Sequence, residues 1–129
     1  MKDLIEAASR VRENAHAPYS RFRVGAAVLD ETGRIHVGAN VENAAYPEGV
    51  CAETAAIAAM VAAGGRRIAA IAVVGEGPAP CTPCGGCRQR IREFAAAATP
   101  IHVAAPDGAG RSFTLAELLP ESFGPENLA

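Results

Sequence analysis

Two short motifs contain residues that could perform chemistry together. Cys-Ala-Glu occupies positions 51–53, and Pro-Cys-Gly-Gly-Cys occupies positions 83–87. These motifs supply one carboxylate, Glu53, and three thiols, Cys51, Cys84 and Cys87. A Cys-x-x-Cys pair alone fits a redox dithiol, half of a structural zinc site, or two buried cysteines without a function. The surrounding residues must therefore decide between these interpretations.

Features next to the motifs favour a metal site. Gly85 and Gly86 leave room for the main chain to wrap around an ion, and the periodic run after Cys87 predicts a helix. Cys51 likewise begins a helix-like run, which carries Glu53 two residues further on. Thiols at helix N-termini are biased towards the thiolate, which is the form that binds metal.

The number of ligands indicates what the metal would do. Three protein ligands, Cys51, Cys84 and Cys87, leave the fourth tetrahedral position of a zinc ion open for water, which is the arrangement of catalytic zinc sites. Zinc lowers the pKa of such a water to about 7, and a nearby carboxylate can carry its protons. We therefore predict one zinc ion per chain, held by the three cysteines, with Glu53 as the proton carrier.

The fourth cysteine leaves an alternative open. Cys81 and the other three cysteines would make a Cys₄ site, which is either a structural zinc site or an iron–sulfur cluster. The protein would then be a metal-stabilised module without hydrolytic activity. Against this interpretation, Cys81 falls in a proline-rich loop ahead of Pro83, and a closed site leaves Glu53 without a function.

Length and charge restrict the classes of function. The chain has 129 residues, close to the commonest domain size, so we expect a single domain over residues 1–129. A net charge of −2 provides no polycationic surface for long nucleic acids. No apolar run is long enough to span a bilayer, and the first twenty residues are charged and amphipathic rather than signal-like. In the cytoplasm, the expected location, four cysteines favour metal binding over disulfides.

Hydrophobic periodicity predicts the elements that must position the motifs. In chain order, the predicted elements are helix 2–15, strand 22–30, strand 34–40, helix 51–63, strand 68–74, helix 84–97, strand 101–105, and a short strand that passes into a helical turn over 112–119. This order predicts one mixed sheet with helices on both faces. The helix at 51–63 is apolar almost all round and is expected to be buried, whereas His36 alternates with apolar residues and is expected to face solvent.

The residues around the motifs resemble those of a known enzyme family. Zinc deaminases carry His-x-Glu followed by Pro-Cys-x-x-Cys, with Cys₃ as an alternative ligand set and the Glu as general acid/base. Here the motifs have the Cys₃ form, Asn-Val-Glu-Asn-Ala-Ala-Tyr-Pro lies upstream at 40–47, and Cys-Arg-Gln lies at 87–89. Over positions 18–125 the chain is similar to the small homotetrameric cytidine deaminases of pyrimidine salvage. The resemblance implies an α/β fold: a three-layer α/β/α sandwich with a mixed five-stranded sheet.

The reaction implied by the resemblance is hydrolytic removal of the 4-amino group of cytidine or deoxycytidine, giving uridine or deoxyuridine and ammonia. Glu53 is then expected to bring one proton to ring N3 and another to the departing amine, a double role that needs a pKa near the working pH. A free nucleoside carries no phosphate, which suits the near-neutral charge of the chain. Relatives do not use the position of Cys81 as a ligand, which implies an open site.

Substrate contacts are also implied by the resemblance. It gives Asn40 and Glu42 a role in binding the ribose, Phe22 a role in stacking on the pyrimidine, and the backbone of Ala52 a contact with the pyrimidine edge. Without the resemblance, Asn40 and Glu42 would be interpreted as turn residues and Phe22 as a core residue. Another aminated heterocycle, such as blasticidin, is an alternative substrate, but the ribose pair favours a nucleoside.

Two further aromatic residues connect the site with assembly. Tyr46 and Phe123 correspond to residues that, in the tetrameric relatives, reach the active site of a neighbouring subunit. The resemblance therefore implies a homotetramer with active sites at its subunit interfaces. The alternative for both residues is packing within one chain.

One position departs from the family pattern. Zinc with three thiolates carries a formal charge of −1, which opposes ionisation of a bound water, and relatives often place Arg directly after the Glu, where it can offset that charge. This chain has Thr54 there. Either the helix N-termini and Arg88 supply enough positive charge, or the bound water is less acidic than is usual in the family.

Overall fold

The computed structural model describes residues 2–129, which form one sheet with helices on both faces. The helices are α1 (Lys2–Arg12), α2 (Ala52–Ala62), α3 (Gly85–Phe94) and α4 (Leu115–Leu118). The strands are β1 (Gly25–Asp30), β2 (Ile35–Ala39), β3 (Ile68–Val74), β4 (Pro100–Ala104) and β5 (Gly110–Thr114). Short 3₁₀ segments lie at Tyr46–Glu48 and Pro125–Leu128. Within residues 2–129, no helix combines the length and the apolar character needed to cross a bilayer.

The sheet is mixed and five-stranded, as predicted. Its strand order is β2-β1-β3-β4-β5. Strands β3 and β4 are parallel and are connected through α3, whereas all other neighbouring pairs are antiparallel. The sequence placed the last strand at or after residue 112, but it begins at Gly110, which pairs with Ala104 of β4.

Different helices cover the two faces of the sheet, which gives the three-layer sandwich implied by the resemblance. Because side chains alternate along a strand, Ala72 and Ile71 of β3 point to opposite faces. Helix α1 packs on the face that contains the small residues Ala27 and Ala72. Helices α2, α3 and α4 pack on the other face, around larger residues such as Ile71 and Ile101.

Helix α2 lies against the β1–β2 hairpin at Gly38. A Cβ at this position would come within 2.3 Å of the backbone nitrogen of Ala56, so only glycine permits this close approach. Helix α2 also contacts α3, and the two helices begin directly after Cys51 and Cys84. The packing of α2 and α3 on one face therefore brings the two motifs together.

Two helices end about three residues earlier than periodicity predicted, because the main chain beyond them pairs with other segments. Helix α1 ends at Arg12, and His16 instead forms a bridge with Val41. Helix α3 ends at Phe94, and the N–H of Ala116 donates to the carbonyl of Ala97. Side-chain periodicity carries no information about these long-range backbone hydrogen bonds.

The prediction that α2 is buried on all sides is wrong for its outer face. Ala56 and Met60 are fully buried, whereas Ala58 and Ala62 are exposed to solvent. Alanine is the best helix former and has little apolar surface to hide, so a run of alanines identifies a helix without showing which side is covered.

The prediction that His36 faces solvent is also wrong. The His36 side chain is only 10 % exposed, and its Nε2 lies 2.8 Å from Oδ2 of the buried Asp30. It shares the α2 side of edge strand β2 with Gly38. The apolar Ile35 and Val37 are instead 40 % and 41 % exposed. The contact with Asp30 therefore keeps the His36 side of β2 turned towards the protein interior and the Ile35 and Val37 side turned outwards.

Asp30 is expected to make the fold sensitive to acid. Hydrogen bonds from His36 and Thr32 hold the pKa of the Asp30 carboxyl well below its usual range. Such a group stabilises the folded state above its unfolded pKa of about 3.9, and this contribution is lost as the pH falls towards the folded value. We therefore expect Asp30→Asn to melt several degrees below wild type at about pH 7 and to be less sensitive to acidification, as measured by thermal unfolding down to about pH 3. Equal acid sensitivity in both proteins would contradict this account.

Candidate active site

The three predicted ligand thiols meet where two helices begin. Cys51 and Cys84 are the N-cap residues of α2 and α3, and Cys87 lies in the first turn of α3. Their three Sγ atoms all lie within 4.8 Å of one another, and those of Cys51 and Cys84 are 4.0 Å apart. The starts of α2 and α3 therefore bring the three thiols together at one point.

This cluster fits a tetrahedral zinc ion. Zinc–sulfur bonds of about 2.3 Å place the sulfur atoms about 3.8 Å apart, which is close to the observed separation of Cys51 and Cys84. Within the part of the chain that the structure describes, the cluster is the single group of three or more His, Cys, Asp or Glu side chains that could hold a metal. Thiolate ligands suit zinc rather than hard cations such as magnesium, and three ligands leave one coordination position for water or substrate.

The electrostatic environment of the thiols is uneven. Burial raises the pKa of Cys51, and burial together with the Glu53 carboxylate raises the pKa of Cys87. At Cys84 the effect of burial is outweighed by hydrogen bonds from the Cys87 backbone and the neighbouring thiols, so its pKa is lowered. The two helix N-termini each contribute about half a positive charge, and a bound cation would favour the thiolate form of all three residues.

Glu53 lies beside this cluster in the first turn of α2. The residue is only 5 % exposed, and burial raises the pKa of its carboxyl. A raised pKa brings a carboxyl closer to neutral pH, where it can both accept and donate a proton. The arrangement therefore places a carboxyl with a raised pKa beside the three thiols that could hold a metal.

Glu53 and two of the thiols border a small pocket of about 150 Å³. The pocket is lined by Val24, Asn40, Cys51, Ala52, Glu53, Cys81, Thr82 and Cys84. The pocket thus brings two of the predicted ligands and the predicted catalytic carboxylate together with two predicted substrate residues, Asn40 and Ala52. Val24 and Thr82 were not predicted from the sequence; the available signals were the nearness of Thr82 to the Pro-Cys motif and of Val24 to Phe22.

Asn40 and Glu42 both bond to the segment that precedes β1. The Asn40 amide donates to the carbonyl of Phe22 at 2.8 Å and accepts from the N–H of Val24 at 2.9 Å. Glu42 accepts hydrogen bonds from the main chain and the hydroxyl of Ser20, and these lower the pKa of its carboxyl. Glu42 lines a second surface pocket, of about 400 Å³, rather than the pocket at the thiols. Both side chains therefore organise the chain next to the site.

The three predicted aromatic contacts lie outside the pocket at the thiols. Phe22, Tyr46 and Phe123 are 41 %, 77 % and 58 % exposed, respectively. The Tyr46 ring meets Tyr19 edge-on, with 6.0 Å between the ring centroids. Within one chain these three rings do not complete the pocket wall.

Helix α3 anchors the segment that carries Phe123. The Gln89 side chain donates to the carbonyl of Phe123 at 2.9 Å. Arg92 donates to the hydroxyl of Ser122 at 2.9 Å and pairs with the carboxylate of Glu126. Because α3 begins directly after Cys84 and contains Cys87, the helix next to two of the thiols also holds the backbone that carries this exposed ring.

Cys81 lines the pocket but does not belong to the thiol cluster. Its side chain packs over Gly75, where a Cβ would lie 2.9 Å from the Cys81 Sγ. Burial raises the pKa of this thiol. This placement favours the open three-cysteine site over the closed four-cysteine alternative.

The two residues considered for charge compensation have different contacts. The guanidinium of Arg88 donates to the carbonyls of Pro83 and Leu118 at 2.7 Å and 2.8 Å, so it fixes the loop before the motif. Thr54 instead reaches the cluster directly, since its Oγ1 lies 3.7 Å from the Sγ of Cys87. From the sequence, Thr54 was interpreted only as the loss of a positive charge, and this contact was not predicted.

A three-thiol site at two helix N-termini, with a buried glutamate beside it, is the arrangement of the zinc deaminases of nucleosides and nucleobases. The family model for the cytidine and deoxycytidylate deaminase zinc-binding region matches residues 1–103. Because this model matches most of the chain, the chain belongs to the cytidine and deoxycytidylate deaminase family, which is a family of hydrolytic enzymes.

Individual relatives agree with this assignment. A protein of Sporosarcina psychrophila named cytidine deaminase is 42 % identical over 129 residues, which cover all of this chain and 95 % of the relative. The crystal structure of cytidine deaminase from Burkholderia pseudomallei matches with a TM-score of 0.90 and 44 % identity over 95 % of this chain and 98 % of that one. The corresponding Mycobacterium tuberculosis structure matches with a TM-score of 0.82 and 38 % identity over 95 % and 96 % of the two chains.

Proposed function

We propose that this chain is a zinc-dependent enzyme that hydrolyses cytidine and deoxycytidine to uridine and deoxyuridine plus ammonia, in pyrimidine salvage. The proposal depends above all on one observation: the buried Glu53 borders the same small pocket as Cys51 and Cys84, two of the three clustered cysteines. The relatives described above, which carry the name cytidine deaminase, support the choice of substrate. The low net charge suits a substrate without a phosphate.

The metal would be held by Cys51, Cys84 and Cys87, one ion per chain. When bound, zinc would supply an acidified water. Glu53 accepts one proton of this water and delivers it to ring N3, which makes C4 of the base open to attack, and the remaining hydroxyl adds to C4. Glu53 then takes the proton of the added hydroxyl and gives it to the 4-amino group, so the C4–N bond breaks and ammonia leaves as the C4–O bond becomes a carbonyl. The raised pKa of Glu53 supports this double role.

The pocket dimensions support a single six-membered ring next to Glu53, with the sugar directed outwards. The backbone of Ala52 borders the space that the ring would occupy. One N–H of the Asn40 amide and further lone pairs of the Glu42 carboxylate remain available beyond the bonds already described, so both can bind ribose hydroxyls. Phe22 would stack on the ring once the nucleoside is bound.

The exposed aromatic rings support an assembly in which subunits share sites. We propose that this single-domain protein acts in the cytoplasm as a homotetramer, in which Tyr46 and Phe123 of one subunit reach the pocket of another. Their exposure of 77 % and 58 % leaves both rings available for such a contact. The exposed outer face of α2 at Ala58 and Ala62 offers further surface for subunit packing.

The proposal is tested by measuring zinc content together with the fall in ultraviolet absorbance after cytidine, deoxycytidine or blasticidin is added. We expect about one zinc per chain and deamination of both nucleosides. If only blasticidin were deaminated, the proposed substrate would be wrong, whereas the proposed deaminase activity would stand. Zinc without any deamination would favour a metal-stabilised module and remove the proposed activity.

Shared sites predict that two defective variants restore activity when they are mixed. Phe123→Ala is expected to raise KM about 10-fold through loss of an aromatic contact, and Glu53→Ala is expected to be inactive. In tetramers assembled at random from equal amounts of the two variants, about a quarter of the sites combine an intact Glu53 with a neighbour's intact Phe123. A component with wild-type KM should therefore appear in steady-state kinetics of the mixture. If the mixture shows only the KM of Phe123→Ala, then Phe123 acts within its own chain.

A further inference from the structure

The hydroxyl of Thr54 contacts the one buried sulfur of the thiol cluster. Thr54 lies three residues after the N-cap Cys51, in the first turn of α2. Its Oγ1 is 3.7 Å from the Sγ of Cys87, which lies on α3. Cys87 is fully buried, whereas Cys84 is exposed and Cys51 is partly exposed. The contact therefore joins the two helices that form the site.

Because Cys87 is buried, its thiolate needs a hydrogen-bond donor from the protein. Water can solvate the thiolates of Cys51 and Cys84, but it cannot reach Cys87, and a buried charge without a hydrogen-bond donor is costly. A thiolate has no proton of its own to donate, so the Thr54 hydroxyl must be the donor when Cys87 binds a metal. Of the residues considered for charge compensation, Arg88 uses its guanidinium on the carbonyls of Pro83 and Leu118.

We infer that Thr54 is a positioning residue of the metal site, whose hydroxyl donates to the Cys87 thiolate and thereby sets how tightly the ion is held and how strongly this sulfur donates to it. The inference depends on the proposed three-cysteine metal site. A hydrogen bond to a ligand fixes its orientation, and loss of such partners elsewhere typically reduces metal affinity 10- to 100-fold. In this chain the neutral hydroxyl of Thr54 can orient the Cys87 ligand because it lies 3.7 Å from the buried sulfur.

The test compares Thr54→Val, which replaces the hydroxyl by a methyl group of similar size, with Thr54→Ser, which keeps the hydroxyl. Zinc affinity is measured by competition with a chelator, and the sulfur is probed directly through the sulfur-to-cobalt charge-transfer band of cobalt-substituted protein. Since a hydrogen bond lowers the energy of the sulfur lone pair, its removal should shift this band to longer wavelength. We expect this shift and about a 10-fold loss of zinc affinity in Thr54→Val, with wild-type behaviour in Thr54→Ser.

Other results separate the possible failures. Thr54→Ala also removes the hydroxyl but adds no apolar group in its place. This variant is used instead of Thr54→Val if the valine variant does not fold. Wild-type affinity and an unshifted band in the variants without a hydroxyl would overturn the inference while leaving the metal site intact. Equal loss of affinity in the serine variant would show that packing, and not the hydroxyl, is responsible. If wild type itself bound neither zinc nor cobalt, the proposed function would fail first.

Discussion

Replacing Glu53 by glutamine is expected to lower kcat for cytidine by about 10³- to 10⁴-fold and to leave zinc content unchanged. Glutamine has nearly the same shape but cannot transfer protons, and general acid–base groups typically contribute 10²- to 10⁴-fold. The upper part of that range applies because one carboxylate serves both ring N3 and the departing amine. Glu53 is not among the three clustered thiols, so the metal should remain bound. Steady-state kinetics and metal analysis on the same samples measure both quantities.

The stability of this variant provides the control for misfolding. Burial raises the pKa of Glu53, so above the unfolded pKa this side chain makes an unfavourable contribution to the stability of the metal-free fold. Glu53→Gln should therefore melt at or above the wild-type temperature when both proteins are metal-free. Glu53→Ala should be equally inactive, although it also leaves a cavity. Turnover near the wild-type rate in either variant would show that another group moves the protons.

Removing a thiol of the cluster is expected to abolish both metal binding and turnover. Cys84 is one of the three sulfurs within 4.8 Å of one another, and two ligands cannot hold zinc in a three-ligand catalytic site. In Cys84→Ala we expect zinc content to fall from about one per chain to near zero, with deamination at background. Metal analysis after dialysis and the absorbance assay with cytidine measure the two effects.

Cys81→Ser is the matched control for this experiment. Cys81 lines the same pocket and precedes Cys84 by three residues, but its thiol lies outside the cluster. We expect zinc content and kcat within about twofold of wild type, because Cys81 is not a proposed ligand and substitutions outside such special contacts usually change free energies by no more than about 0.5 kcal/mol. Loss of zinc in Cys81→Ser would restore the closed four-cysteine alternative. Retention of zinc in Cys84→Ala would remove Cys84 from the ligand set.

The motifs at positions 51–53 and 83–87 were readable from the sequence because their chemistry depends on local spacing. Two cysteines separated by two residues at a helix start face the same point, and a glutamate two residues after a cysteine lies in the same first turn. The order of helices and strands was likewise visible, because β3 is an uninterrupted apolar run with both faces covered. These properties predicted the mixed sheet with helices on both faces and the candidate metal ligands.

Which distant groups meet depends on tertiary packing, which local sequence patterns do not reveal. The buried Asp30 accepts a contact from His36 and keeps this side chain inside the fold. The Thr54 hydroxyl on α2 contacts the sulfur of Cys87 on α3. The Cys81 side chain packs against Gly75, outside the thiol cluster. The alternation of apolar residues along a strand cannot reveal a buried carboxylate on the neighbouring strand, and spacing along one helix cannot reveal a contact with another. The candidate ligands and the candidate proton carrier follow from residue types and short spacings, which the sequence shows directly. The contact between Thr54 and Cys87 depends on how α2 and α3 pack together, which the sequence does not show.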